Sequence, residues 1–201
     1  MFAESVTIEQ IDLLEKSVFP GRITVIDSLG KDFDDACRYL ASKKIIGFDT
    51  ESRPCFSPGQ HPYGVSLLQL SGAQRAFLFR VKKTGLPKKL CRILENPKVL
   101  KIGAAVNDDI RGLKRICDFN SDGFVDLQRM VGDYGIKDKS VKKMAAIILG
   151  VKVSKSQQLS NWEAEELSEA QLQYAATDAW VCREMYLRLL ECDRKETVEN
   201  D

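Results

Sequence analysis

Five acidic side chains and one phenol stand out by type and spacing. Asp49 and Glu51 lie two apart at the end of the apolar run Ile45-Ile46-Gly47-Phe48. The two-residue period of a strand points both carboxylates to one face, where they could grip one cation. Tyr174 and Asp178 lie four apart, neighbours on one face of a helix at the border of its apolar stripe. An ionised Asp at that border calls for a partner, because desolvating an unpaired charge is costly, and a divalent cation is one such partner. Asp108 and Asp109 open another helix, where the dipole and the free backbone N–H groups favour carboxylates. Three or four carboxylates without His or Cys suit Mg²⁺ or Mn²⁺ rather than zinc. Two such ions about 4 Å apart can lower the pKa of an attacking water and stabilise the leaving oxygen of an in-line phosphoryl displacement. Singly, each group also has a plainer use: Asp49 or Glu51 as a cap or a solvated carboxylate, Asp108 and Asp109 as caps, Tyr174 as core.

Other chemistries find little support. The chain has one histidine, His61, in a Gln60-His61-Pro62 loop, which leaves zincin or Ser-His-Asp chemistry without its parts. Its six cysteines are scattered with no CxxC pair, and read as reduced structural thiols. With 201 residues, 44% hydrophobic and 29% charged, the chain fits one soluble domain with a substantial core. No apolar run approaches the roughly 20 residues that span a bilayer. The start MFAESVTIEQ lacks the basic and apolar regions of a signal peptide, so a cytoplasmic location and no membrane partner are expected. The net charge of +1 hides an uneven distribution: eleven Lys/Arg against three acidic residues between Arg80 and Arg115, and six lysines against Asp138 between Lys137 and Lys155. A basic surface beside an acidic site would give this pattern, as would solvated helix faces.

The elements that must position these groups alternate between strand and helix signals. Thr7-Ile8-Glu9-Gln10 is a capping box before a short helix that ends ahead of Pro20-Gly21. Ile23 to Ile26 reads as a strand, Asp32 as the cap of a helix bearing Phe33, Ala36, Cys37 and Leu40, and residues 45–49 as a buried strand. Val65 to Leu70 and Ala76 to Phe79 read as a hairpin, and Leu86 to Leu94 as a helix with Pro87 in its first turn. Val99 to Val106 is a further strand candidate, with Asn107 capping the helix of Ile110, Leu113 and Cys117. Val141 to Ile148 is a helix closed by Gly150, and a last helix runs from the Ser168–Gln171 capping box to about residue 191. The sum is an α/β domain with a mixed sheet.

In order and spacing, these residues resemble the DEDD (DnaQ-like) 3'-5' exonucleases of the ribonuclease H-like fold. The likeness is to the tyrosine-bearing DEDDy branch of ribonuclease D and the Werner-type exonuclease domains. The first motif is Phe48-Asp49-Thr50-Glu51; the second is Lys101-Ile102-Gly103 with Asn107-Asp108-Asp109-Ile110 and Leu113. The third is Tyr174-Ala175-Ala176-Thr177-Asp178, preceded by Ser160-Asn161-Trp162, Leu167 and Gln171. The likeness covers residues 22 to 191, leaving 1–21 as an N-terminal helical extension and 192–201 as an acidic tail.

The resemblance implies a mixed central β-sheet flanked by α-helices, and a metal-dependent 3'-5' exonuclease releasing nucleoside 5'-monophosphates with two Mg²⁺ or Mn²⁺ ions. Asp49, Glu51 and Asp178 would ligate the first ion, Asp49 would bridge, and Asp109 would hold the second, with Asp108 in reserve. Tyr174 would orient the attacking water. The partner would be nucleic acid, DNA or RNA, with a free 3' end, held through lysine-rich segments, and Leu67 and Leu68 are candidates for packing against its bases, with core packing the favoured reading for both. The pattern departs at Glu165-Glu166, where ribonuclease D relatives often carry Arg-Pro before the leucine. Two other readings compete: a catalytically silent nucleic-acid- or protein-binding module of the same fold, and an Asp-nucleophile phosphatase, which usually needs Asp at position 51.

Overall fold

Local capping and turn chemistry set several element boundaries in the computed structural model, which describes residues 2–55 and 63–199. Thr7 and Gln10 close a reciprocal capping box ahead of α1 (Ile8–Asp12). The chain continues through β1 (Arg22–Ile26), α2 (Lys31–Ala41), β2 (Ile45–Ser52), β3 (Val65–Ser71) and β4 (Arg75–Phe79). A single turn, α3 (Val81–Thr84), and α4 (Lys88–Glu95) lead to β5 (Leu100–Gly103) and α5 (Val106–Lys114). The short β6 (Phe124–Asp126) passes through α6 (Leu127–Met130) into a 3-10 turn, Val131–Tyr134. α7 (Val141–Leu149) stops at Gly150, whose φ of +68° is a left-handed cap that glycine adopts without a Cβ penalty. α8 (Glu169–Glu199) opens on a capping box in which Ser168 and Gln171 exchange side-chain and backbone hydrogen bonds.

The six strands form one sheet in the order β1-β4-β3-β2-β5-β6. β3 runs antiparallel to both neighbours, while the β1–β4, β2–β5 and β5–β6 pairs are parallel. β3 is buried along all seven residues, as a central strand covered on both faces must be. On one face, α2, α4 and α5 bury Phe33, Leu40, Leu90, Leu94, Ile110 and Leu113 against Ile46, Phe48, Leu70 and Phe77. On the other, α7 and α8 bury Met144, Ile148, Val181, Met185 and Leu189 against Ile102, and Trp162, Tyr174 and Ala175 pack on Leu67 and Leu78. At the border of that second face, the Thr177 hydroxyl of α8 accepts from the Phe19 N–H, and the Gln173 amide donates to the Phe19 carbonyl.

Several boundaries differ from the sequence expectation. The strand proposed over Val99 to Val106 is only Leu100–Gly103, and the cap is Ala105, in the left-handed region at φ 59°, with Asn107 already inside the helix. The Asp126 carboxylate accepts from the Ala105 N–H and so holds this corner. Gly30 rather than Asp32 precedes α2, and Pro87 stands just outside α4. α8 continues past residue 191 because nothing in Cys192-Asp193-Arg194-Lys195-Glu196-Thr197 breaks a helix. Leu67 and Leu68 are wholly buried, so they are core residues, the favoured reading, and not contacts for bases. The basic run is also less available than its count implies. Arg80 and Lys101 are buried, Lys82 faces Glu163, and Lys89 and Arg111 pair with Asp34 and Asp108. His61 and its loop lie outside the described residues. No helix among the described residues is long and apolar enough to cross a membrane.

Candidate metal centre

The alternation of β2 distributes the first motif between two helices. Gly47 lies directly under α8, and Asp49 and Glu51, of the same parity, share that face with Asp178. The three carboxylates each offer an oxygen within 4.8 Å of the others. Phe48 and Thr50 point the opposite way: Phe48 enters the core under α5, and the Thr50 hydroxyl donates to Asp109 Oδ1 at 2.5 Å. Three carboxylates therefore meet on one side of the strand end, and Asp109 reaches that end from the other side. A register shift between Glu51 and Ser52 closes the ladder there, a bulge of the kind that re-aims side chains.

The two aspartates of the second motif separate cleanly. Asp109 is half-buried and faces Thr50, whereas Asp108 is exposed and paired with Arg111 one turn on. Tyr174 is buried and stacks at a tilt against Trp162. Its hydroxyl hydrogen-bonds the Asp178 carboxylate one turn later.

Electrostatics follow from four carboxylates in one half-buried place. Loss of hydration is the main cause throughout, with mutual repulsion next for Asp49 and Glu51. Asp49 is pushed well above the ordinary carboxylate range, and Glu51 to about 9. Asp109 rises to about 7 despite the Thr50 hydrogen bond, and Asp178 to about 6 despite that from Tyr174. Burial, with Asp178 and Glu51 nearby, raises the Tyr174 phenol and keeps it a hydrogen-bond donor. An all-oxygen set that repels itself in this way fits a hard divalent cation, whose charge would offset the repulsion.

Two participants escaped the sequence reading. Lys155 attracts Glu51 and Asp178. It sits exposed at the apex of a turn clasped by a Ser154–Ser156 hydroxyl pair at 3.0 Å, and both serines line a cavity with Tyr174. In the sequence it is one lysine of the run from Lys137 to Lys155. Gln69 stands opposite Asp49 on β3, wholly buried, and its amide has no hydrogen-bond partner among the described residues. One amide in an otherwise apolar run, Leu67-Leu68-Gln69-Leu70, was its signal. Glu165-Glu166, where the pattern departs, is exposed, and the buried Arg80 guanidinium donates to the Glu165 and Ala164 carbonyls beneath it.

A mixed α/β sheet with this acidic end defines a ribonuclease H-like exonuclease domain. Residues 28–191 match the 3'-5' exonuclease family, and the chain belongs to that family, of the DEDD type. Ribonuclease D of Haemophilus influenzae is 33% identical over 164 residues, 81% of this chain and 40% of that protein. The mouse bifunctional 3'-5' exonuclease/ATP-dependent helicase WRN is 28% identical over 162 residues, 78% of this chain and 12% of its own length. The chain thus spans well under two thirds of these relatives. Among solved structures, the Aedes aegypti Nibbler EXO domain superposes with a TM-score of 0.73 at 25% identity, covering 86% of this chain and 90% of that one. Escherichia coli RNase D shares the fold with a TM-score of 0.70 at 23% identity, covering 89% and 45%.

Proposed function

We propose that the protein is a metal-dependent 3'-5' exonuclease that hydrolyses the terminal phosphodiester of a nucleic-acid strand and releases a nucleoside 5'-monophosphate. The observation that carries this reading is the convergence of Asp49, Glu51 and Asp178 within 4.8 Å, with Asp109 across the strand end. Asp49, Glu51 and Asp178 would hold one ion, and Asp109, with Asp49 shared, the second. Two Mg²⁺ or Mn²⁺ ions, when bound, supply the charge that acidifies a water and stabilises the departing 3' oxygen.

The protein's own groups do the rest. Tyr174, held protonated and tied to Asp178, orients the attacking water through its hydroxyl. Water adds to phosphorus in line, the P–O3' bond breaks, and the shortened strand leaves with a 3' hydroxyl. Lys155, at the apex of its clasped turn, faces the negative reacting centre.

The test is a 5'-labelled single strand, DNA and RNA in parallel, incubated with Mg²⁺ or Mn²⁺. A ladder of single-nucleotide steps, stopped by EDTA, is expected, and Asp49→Asn should slow it about a thousandfold, roughly 4 kcal/mol of barrier. Intact substrate with the wild-type protein, or an unaffected Asp49→Asn variant, would overturn the reading.

A further inference from the structure

Away from the carboxylates, two thiols carried by different helices meet. Cys91, on α4, and Cys117, just beyond the end of α5, are 26 positions apart in the chain, yet their sulfurs lie 3.6 Å from each other. Cys91 is buried in the apolar cluster beneath these helices, and Cys117 packs half-buried at its edge. Each thiol also has a carbonyl to accept from it, that of Leu86 at 3.3 Å for Cys91 and that of Asp118 at 3.5 Å for Cys117. The proposed hydrolysis uses neither.

A disulfide holds its sulfurs about 2.05 Å apart, so closing this pair takes a small rotation of two side chains and no exchange of neighbours. The two thiols differ in the way a reacting pair does. Cys117 is the one an oxidant in solution reaches, whereas burial, and then the hydrogen bond to Cys117, raise the Cys91 thiol and keep it protonated. The stretch between them holds β5 and all of α5, and so both aspartates of the second motif, Asp108 and Asp109. A bond between Cys91 and Cys117 would turn that stretch into a closed loop with its two ends tied at the α4–α5 contact.

We propose that Cys91 and Cys117 form a reversible dithiol–disulfide site, with a hydroperoxide as oxidant, that latches α5 to α4. In the first step the Cys117 sulfur, as thiolate, attacks one peroxide oxygen. The O–O bond breaks, and the other oxygen takes up a proton and leaves, as water when the oxidant is hydrogen peroxide. In the second step the Cys91 sulfur attacks the sulfenic sulfur of Cys117. The S–S bond forms, the S–O bond breaks, and the hydroxyl departs as a second water with the proton that Cys91 gives up. Two electrons pass from the two sulfurs to the peroxide, and a small dithiol returns them to open the latch.

The experiment treats the wild-type protein with a few equivalents of hydrogen peroxide and follows thiols and melting. Titratable thiols in denaturant should fall from six to four. A non-reducing digest should join the peptides of Cys91 and Cys117 with a loss of about 2 Da, and dithiothreitol should restore both. Closing a loop of this length should raise the melting temperature by about 5 to 10 °C. Cys117→Ser, at the half-buried position, should show neither the bridge nor the peroxide-induced rise. Cys117 recovered as a sulfinic acid, heavier by about 32 Da, with Cys91 still a thiol would overturn the proposal, as would a disulfide through any other cysteine. A bridge that leaves the melting temperature unchanged overturns the latch. None of these readouts depends on nuclease activity, so the outcome is separate from that of the exonuclease reading.

Discussion

Gly47 and Ala179 touch backbone to backbone: a Cβ added to Gly47 would stand 1.8 Å from the Ala179 carbonyl oxygen. This contact seats α8 on β2, two residues before Asp49 and one after Asp178, and so sets the spacing of the carboxylates. Gly47→Ala must push the helix off the strand, because the obstacle is backbone. The expected cost is about 3 kcal/mol of stability by urea denaturation, with Mn²⁺ binding weakened at least tenfold. A loss below about 1 kcal/mol with normal Mn²⁺ affinity would show that the contact does not fix the site.

The hydrogen bond from Thr50 to Asp109 joins the two halves of the centre. Thr50→Val keeps the shape and removes the donor, leaving a half-buried carboxylate without its neutral partner. Stability should fall by about 1 kcal/mol, and the Mn²⁺ concentration needed for half-maximal activity should rise several-fold. Thr50→Ser should restore both. Failure of serine to rescue would assign the effect to packing.

Metal-free and metal-bound protein should respond differently to pH. Carboxylates of the unfolded chain titrate near 4. Those of the fold are raised, to about 6 for Asp178, about 7 for Asp109 and about 9 for Glu51. The folded chain then holds protons that the unfolded chain has lost, so this contribution to stability is fully present below pH 4 and is lost as pH rises through 6 to 9. A bound cation needs the deprotonated forms. The melting-temperature gain on adding Mn²⁺ should therefore be several degrees larger at pH 8 than at pH 5.5. An equal or smaller gain at pH 8 would contradict the raised carboxylates.

Lys155 makes two effects separable in one variant. Its charge opposes a cation near Glu51 and Asp178, and it favours an anionic phosphate in the same place. Lys155→Gln should tighten Mn²⁺ binding about twofold in calorimetry while lowering kcat/KM on an oligonucleotide about tenfold. Movement of both quantities in the same direction would remove the residue from substrate contact.

Spacing made Asp49, Glu51, Tyr174 and Asp178 legible before any coordinates, because each pair sits inside a regular element whose period dictates a shared face. The preference for Asp109 over Asp108 follows the pattern of the resembled family, an aliphatic residue after the aspartate and another apolar one three later, and in the fold Ile110 and Leu113 turn inward while Asp109 meets Thr50. The Ala105 corner was not legible, since a left-handed alanine has no local sequence signal and depends on Asp126, 21 residues away. Gln69 was hidden for a similar reason: its position opposite Asp49 is a property of strand register. Lys155 depended on a turn between helices, where neither period applies.

The division of β2 between two helices has a mechanical consequence. Asp178 rides on α8 and Asp109 on α5, and these helices belong to separate apolar clusters on opposite faces of the sheet. The strand end between them is a shared hinge pin. Repacking under α5, at Ile110 or Leu113, would retune the gap between the two halves of the centre and leave the Asp49–Glu51–Asp178 half undisturbed, a handle for engineering cation choice without touching a ligand.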